Sequence, residues 1–301
     1  MITTLIFVSS LFIFFLPSQS VATTSLKLAS WNLENLTFSS DKDFAALRNY
    51  LTQIDADIIA LQEVDGPGAA RLVFNPDQYN FYFADSEDAQ KTGFAIRRDL
   101  TVTQNPDYVA LDVGNVRPGA DITVQIGEQQ IRMLSVHLKS FCFSDPLDGN
   151  VSGDSDCSVL KAQLPILEKW IDARACEGVP FAVLGDFNRR LNLSGDDFWA
   201  EIDDGRPSNS DLIKVTEGAR PNCFGGQYPE FIDHIVLDRL SGAWLVPDSF
   251  QEWDYQQPLS QQDQLSDHCA ISAVLDITQP LPPSPSNLVG GISDFIACQF
   301  S

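Results

Sequence analysis

Apolar and polar positions alternate along this chain in short runs whose last residues are polar and titratable. Leu26 to Asn32 alternates with period two and predicts a first strand ending in Trp31-Asn32-Leu33-Glu34-Asn35. Asp41 to Ile54 carries Phe44, Leu47, Leu51 and Ile54 at helical spacing, which predicts an amphipathic helix. Asp57 to Gln62 is a continuous apolar run, hence a buried strand, with Glu63 at its end. Short β-like runs follow at Tyr79 to Ala84 and Gly93 to Arg97. Ile122 to Ile126 and Ile131 to His137, joined through Gly127-Glu128, predict a hairpin. Ser158 to Ala175 has the helical period through Leu160, Leu164, Leu167 and Ile171, with Pro165 as a site for a kink. Phe181 to Leu184 is a buried strand delivering Gly185-Asp186-Phe187-Asn188, and Asp196 to Glu201 is a short helix. Ile232 to Leu237, Trp244 to Phe250 and Ala270 to Ile277 complete the predicted strands.

The two ends depart from this pattern. Residues 1–22 carry no charged side chain, and their apolar core from Leu5 to Leu16 is followed by Pro17, Ser20 and Ala22. That order predicts a secretory signal cleaved after Ala22, with an uncleaved anchor as the alternative because no Lys or Arg precedes the core. Nothing later is long and apolar enough to span a bilayer, so the chain is expected to be secreted or periplasmic, without stable membrane insertion. Gln279-Pro280-Leu281-Pro282-Pro283-Ser284-Pro285 predicts an extended linker, and the apolar residues Ile292 to Phe300 suit docking. The expected organisation is therefore a signal peptide at 1–22, one domain at 23–278 and a Pro-rich tail at 279–301. Strands and helices alternating in this way belong to the α/β class.

Export changes the reading of the six cysteines, for which disulfides become the default. Cys142 and Cys157 bracket a Gly, Ser and Asp-rich loop and form the first expected pair, with Cys176–Cys223 and Cys269–Cys298 as the other two. No closely spaced cysteine pair suggests zinc. The formal net charge of −22 argues against a broad basic groove for nucleic acid. A bound divalent cation and local cations such as Lys91, Arg97, Arg98, Arg117, Lys139, Arg189 and Arg190 would offset it at a cleft.

The chain has only three histidines, and each falls in a polar-tipped strand segment: Ser135-Val136-His137-Leu138-Lys139, Ile232-Asp233-His234-Ile235 and Ser266-Asp267-His268-Cys269. A lone strand-end histidine is most often structural, but the clustering of all three in such segments favours chemistry for His137 and His268, with His234 as a supporting residue. Together with Trp31-Asn32, Gln62-Glu63 and Gly185-Asp186-Phe187-Asn188, these segments resemble, in order, the endonuclease/exonuclease/phosphatase family of metal-dependent phosphodiesterases. The resemblance covers residues 26 to 277.

It implies a four-layer α/β sandwich, with two mixed β-sheets packed face to face and flanked by helices. It also implies a divalent cation, Mg²⁺ first with Mn²⁺ or Ca²⁺ as alternatives, held by Glu63, Asn32 and Asp267. By the same resemblance Asp186 aligns or deprotonates the attacking water, Asn188 donates to phosphate, Asp233 orients His268, and His268 acts at the phosphate. Whether Asp186 or His268 is the base stays open. His137 is implied as proton donor to the leaving oxygen, with Glu87 as its carboxylate partner. Lys139 and Arg117 are candidate substrate-binding cations. The expected activity is a monomeric nuclease acting on DNA or RNA by in-line water attack. The alternatives are a sphingomyelinase-like hydrolase of phospholipid, for which Phe141 and Phe143 would be the membrane contact, a small phosphate ester hydrolase, and a catalytically silent binding module.

Overall fold

The computed structural model describes residues 25–147, 155–207, 211–262, 264–282 and 298. The expected signal peptide and most of the tail lie outside these residues. Among these residues, twelve strands form two six-stranded sheets. Sheet one contains β1 (Ser25–Leu36), β2 (Ile58–Val64), β3 (Tyr79–Phe83), β4 (Lys91–Arg97), β11 (Gln251–Trp253) and β12 (Ala270–Asp276), in the order β11-β12-β1-β2-β4-β3. Sheet two contains β5 (Thr101–Gln104), β6 (Ala120–Ile126), β7 (Gln129–His137), β8 (Phe181–Asp186), β9 (Leu212–Lys214) and β10 (Asp233–Asp238), in the order β5-β6-β7-β8-β10-β9.

Each sheet has one parallel pair, β1 with β2 and β7 with β8. A parallel pair needs a crossover, and helices α1 (Phe44–Ile54) and α3 (Ser155–Glu177) lie in the two connections. Between them in the chain come α2 (Gly66–Ala70), and after them α4 (Asp197–Ile202). Asp43 caps α1, accepting from the Ala46 amide at 2.9 Å. The fold is the expected sandwich of two mixed sheets with helices outside.

Strand alternation sorts the core into layers. Leu26, Leu28, Ile58 and Ala60 of sheet one meet Ile131, Met133, Ala182, Leu184, Ile235 and Leu237 of sheet two between the sheets. The opposite faces, with Trp31, Leu33, Ile59 and Leu61 on one sheet and Leu134, Val136, Phe181 and Val183 on the other, pack against α1 and α3. A polar row crosses the inner layer near its end. Ser30 Oγ donates to Gln62 Oε1 at 3.3 Å, and Gln62 Nε2 donates to Ser135 Oγ at 3.2 Å. Buried polar groups persist where each finds a partner, so this bridge fixes how the sheets face one another.

Three expectations need correction. Trp244 to Phe250 is not a strand: it contributes an isolated bridge between Leu245 and Leu275, and pairing with β12 resumes at Gln251. Trp244 is instead buried in the inner layer with its indole N–H on Gln279 O. Sequence reasoning also missed the short strands β5 and β9, which lack a hydrophobic run. The disulfides are Cys142–Cys157, as expected, but then Cys176–Cys298 and Cys223–Cys269. Cys269 immediately precedes β12, and Glu252, beside it on β11, accepts from the Asn222 and Cys223 amides. That contact seats Cys223 against Cys269 and leaves Cys176, at the end of α3, for Cys298.

Replacing Cys142 and Cys157 together by alanine is expected to lower stability by about 3 kcal/mol, the chain-entropy value for a loop of this size, read as a fall in Tm. A second test concerns α3. Glu168 Oε2 and Asp172 Oδ1 are buried without hydrogen-bond partners among the described residues. Burial first, then Asp172, Asp204, Glu201 and Asp203, pushes the Glu168 carboxyl up to about 9, and burial, then Asp204, pushes Asp172 up to about 6. For acids raised above their unfolded values, the stabilisation is full below the unfolded pKa and is lost as pH rises through the folded one. Tm is therefore expected to fall between pH 5 and pH 9, and Glu168→Gln to flatten that fall.

Candidate active site

The strand parity that builds the inner layer also aims its polar tips. His137 follows Ile131, Met133 and Ser135 on the inner face of β7, Asp186 follows Ala182 and Leu184 on β8, and Asp233 precedes Ile235 and Leu237 on β10. Pairing places them in one row, His137 opposite Asp186 and Asp186 opposite Asp233. The row depends on Gly185, whose φ is 148° and where a Cβ would sit 2.0 Å from Val136 O, so no other residue lets β8 lie this close to β7. Across the gap, Asn32 continues the inner face of β1, and His268 sits just ahead of β12.

Glu63 arrives differently. Parity with Ile59 and Leu61 would send it to the helix-facing side, but the register shifts after Leu61 and Glu63 takes φ 59°. The left-handed turn carries its carboxylate into the cleft. A non-glycine residue held there stores backbone strain of the kind concentrated at functional sites.

These residues form one hydrogen-bonded group. Asn32 Nδ2 donates to Glu63 Oε1 at 3.3 Å and to Asp186 Oδ2 at 3.1 Å, while its Oδ1 accepts from the Glu34 amide at 2.9 Å. Asp186 Oδ1 accepts from the Asn188 amide at 2.8 Å. His268 Nδ1 is 2.7 Å from Asp233 Oδ2, and its Nε2 is 3.7 Å from Asp186 Oδ2. His137 Nε2 lies 3.5 Å from Asp186 Oδ2 and 3.8 Å from Glu63 Oε1. Gln90 donates to Glu63 Oε2 at 2.8 Å and Asn35 Oδ1 at 2.6 Å, and accepts from Arg117 at 3.0 Å.

Electrostatics divides the group. Burial pushes the Asp186 carboxyl well above the ordinary carboxylate range, against the opposing pull of His268. Burial pulls His268 down, but the carboxylates of Asp233, Asp186 and Asp267 outweigh it and hold the imidazole well above its ordinary value. Burial, then Arg117, His268 and Lys139, holds His137 well below its own. One imidazole is thus cationic and the other neutral at the same pH.

The cleft has a volume of about 540 Å³. Glu34, Glu63, Asp186, Glu230, Asp233, Glu252 and Asp267 line it, against the guanidinium groups of Arg117 and Arg190. Several sequence expectations change here. Lys139 is not among the lining residues; its ammonium pairs with Asp156 at 2.7 Å. Glu87 is exposed on its loop, and His137 Nδ1 has no hydrogen-bond partner among the described residues. Asn188 lines the cleft but directs its side-chain amide to Leu138 O at 3.1 Å. Asn32 turns nitrogen, not oxygen, to both acids, so it ties Glu63 to Asp186 in this arrangement. His234 is fully buried between Thr216 Oγ1 and Arg189 O, and Arg189 pairs with Asp196 and Asp197, so neither reaches the cleft. Gln90 was missed altogether: its loop, Ser86 to Gln90, has no pattern distinguishing it from a solvated turn.

A family model described as "Endonuclease/Exonuclease/phosphatase family" matches residues 29–268. No curated protein matches the chain significantly. Among solved structures, TDP2 from Caenorhabditis elegans aligns with a TM-score of 0.61 at 18% identity, over 84% of this chain and 74% of that one. D. rerio TDP2, complexed with single strand DNA product, aligns with a TM-score of 0.61 at 21% identity, over 84% of this chain and 99% of that one. The human Nocturnin catalytic domain with bound sulfate anion aligns with a TM-score of 0.54 at 15% identity, over 84% and 95%. At these identities the likeness is one of fold.

Proposed function

The chain belongs to the endonuclease/exonuclease/phosphatase family, a family of phosphoric ester hydrolases, and from that premise we propose that it is a secreted, divalent-metal-dependent nuclease hydrolysing DNA or RNA. The observation that carries this reading is the convergence of Asp186 with the His268–Asp233 pair, His137 and Glu63 in one acidic cleft. Three disulfides support export. The domain is then residues 23–278, preceded by a cleaved signal.

The donor set fits a hard cation. Glu63 Oε2 accepts from Asn35 and Gln90, whereas among the described residues Oε1 accepts one long hydrogen bond, from Asn32, with His137 Nε2 3.8 Å away. The Asp267 side chain is 56% exposed at the same cleft and accepts no hydrogen bond among the described residues. Glu63 and Asp267 would hold Mg²⁺, with Mn²⁺ or Ca²⁺ as alternatives, and all six cysteines are paired, leaving no thiolate for a softer metal. Such an ion would neutralise phosphate charge and polarise the phosphoryl oxygen.

The chain's own groups supply the rest. Asp186, raised by burial, suits a base that takes a proton from water near neutral pH. Cationic His268, fixed through Nδ1 by Asp233, presents Nε2–H to a developing phosphoryl oxyanion. Neutral His137 serves the leaving oxygen as a hydrogen-bond donor, a weaker role than the full proton transfer expected from sequence, and the departing alkoxide takes its proton from solvent water. Arg117, in the cleft beside His137, supplies a cation to phosphate.

The test is hydrolysis of plasmid DNA, RNA and sphingomyelin in parallel, with Mg²⁺, Mn²⁺, Ca²⁺ or EDTA. Metal-dependent cleavage of nucleic acid is expected. Turnover of sphingomyelin with nucleic acid untouched would move the substrate to phospholipid.

A further inference from the structure

Beyond its acidic floor, the cleft has an aromatic edge that the chemistry above does not use. Phe141 is 68% exposed and holds φ 70°, a left-handed conformation unusual for a bulky side chain. Phe143 meets it edge to face, ring centroids 6.4 Å apart, and the Arg190 guanidinium stands 5.8 Å from the Phe143 ring centre. All three line the cleft. The edge is braced from both sides. Cys142, between the two rings, is bonded to Cys157, and Arg189 donates to Cys142 O at 3.0 Å and Asp145 O at 2.8 Å. The Arg190 amide donates to Phe143 O at 2.9 Å, tying the loop after β8 to the loop after β7. Arg190 has no carboxylate partner among the described residues.

A single exposed phenylalanine needs no explanation. An exposed phenylalanine and a half-buried one on a braced loop beside the cleft, with a guanidinium against the second ring, make a surface for a flat ring carrying a phosphate. The charge balance decides which substrate fits. Duplex binding rests on many phosphate contacts from Lys and Arg, and this cleft offers two guanidinium groups against seven carboxylates. Base stacking does not depend on charge and is open only to unpaired bases. A bilayer fits poorly, because exposed Asp145 follows Phe143 by two residues and would be carried into the lipid with the rings.

Resting on the nuclease reading above, we propose that Phe141 and Phe143 form a stacking subsite for an unpaired base, with Arg190 on the adjoining phosphate, so that the substrate is single-stranded nucleic acid. The experiment uses the oxidised protein with Mg²⁺ or Mn²⁺ and three substrates: a labelled single strand, its duplex, and an abasic strand with the same phosphates. Wild type should cleave the base-bearing strand roughly tenfold or more faster than the abasic strand, the value of one stacked base. Phe141→Ala combined with Phe143→Ala should erase that preference, and Phe141→Trp in the same loop should keep it. Melting curves check that the variants fold, which the exposure of Phe141 favours. Equal cleavage of base-bearing and abasic strands, a preference surviving the double substitution, or faster cleavage of the duplex would overturn the subsite while leaving a nuclease. Hydrolysis of sphingomyelin vesicles with no strand cleaved would overturn both the subsite and the nuclease reading.

Discussion

Replacing Asp186 with asparagine is expected to reduce kcat on nucleic acid by about 10²–10⁴, the range for loss of a positioned general base. Melting temperature should change little. The substitution is nearly isosteric, keeps an oxygen for the Asn188 amide and removes a carboxylate that is 1% exposed, but its amide nitrogen replaces the oxygen that accepts from Asn32 Nδ2, so that bond persists only if Asn32 turns its own oxygen inward. The pH profile gives a second reading. As a base, Asp186 must be ionised, so wild-type activity should rise with pH along a limb above the ordinary carboxylate range. In the variant that limb should disappear. A kcat within tenfold of wild type, with the limb intact, would transfer the role of base to His268.

The second large effect concerns the cation. Glu63→Ala removes the carboxylate that Gln90, Asn35 and Asn32 hold in the cleft. Without a bound cation, the lining carboxylates face an anionic phosphodiester with little to offset them. Loss of several kcal/mol of charge stabilisation corresponds to a fall of about 10²–10⁴ in rate. EDTA on the wild type should reproduce it. Calorimetric titration with Mn²⁺ reads the same point without turnover: heat of binding in the wild type, and none at equal concentrations in the variant. Undiminished Mn²⁺ affinity in Glu63→Ala would remove Glu63 from the ligand set.

Much of this site is legible in the chain because a strand's period of two is a local rule. Once Met133 and Leu184 are assigned to a buried inner face, His137 and Asp186 follow on that face without knowledge of any partner. Glu63 shows where the rule fails. Its parity points away from the cleft, and only the register shift and left-handed backbone bring it in. Lys139 shows the same limit: its spacing from His137 suggests a shared face, yet the strand ends at His137 and the ammonium turns to Asp156.

By itself, then, the sequence determined the longer strands and helices and their order, the polar residues at the strand ends and the Cys142–Cys157 link. These depend on neighbours close along the chain. Only the tertiary structure decided that His137, Asp186 and Asp233 stand in one row, that Asn32 turns its nitrogen to Glu63 and Asp186, that Gln90 braces Glu63, and that Cys223 joins Cys269. Those contacts join residues far apart in the chain. Which of them meet is set by how twelve strands pack as two sheets, and no local pattern of apolar and polar residues encodes that choice.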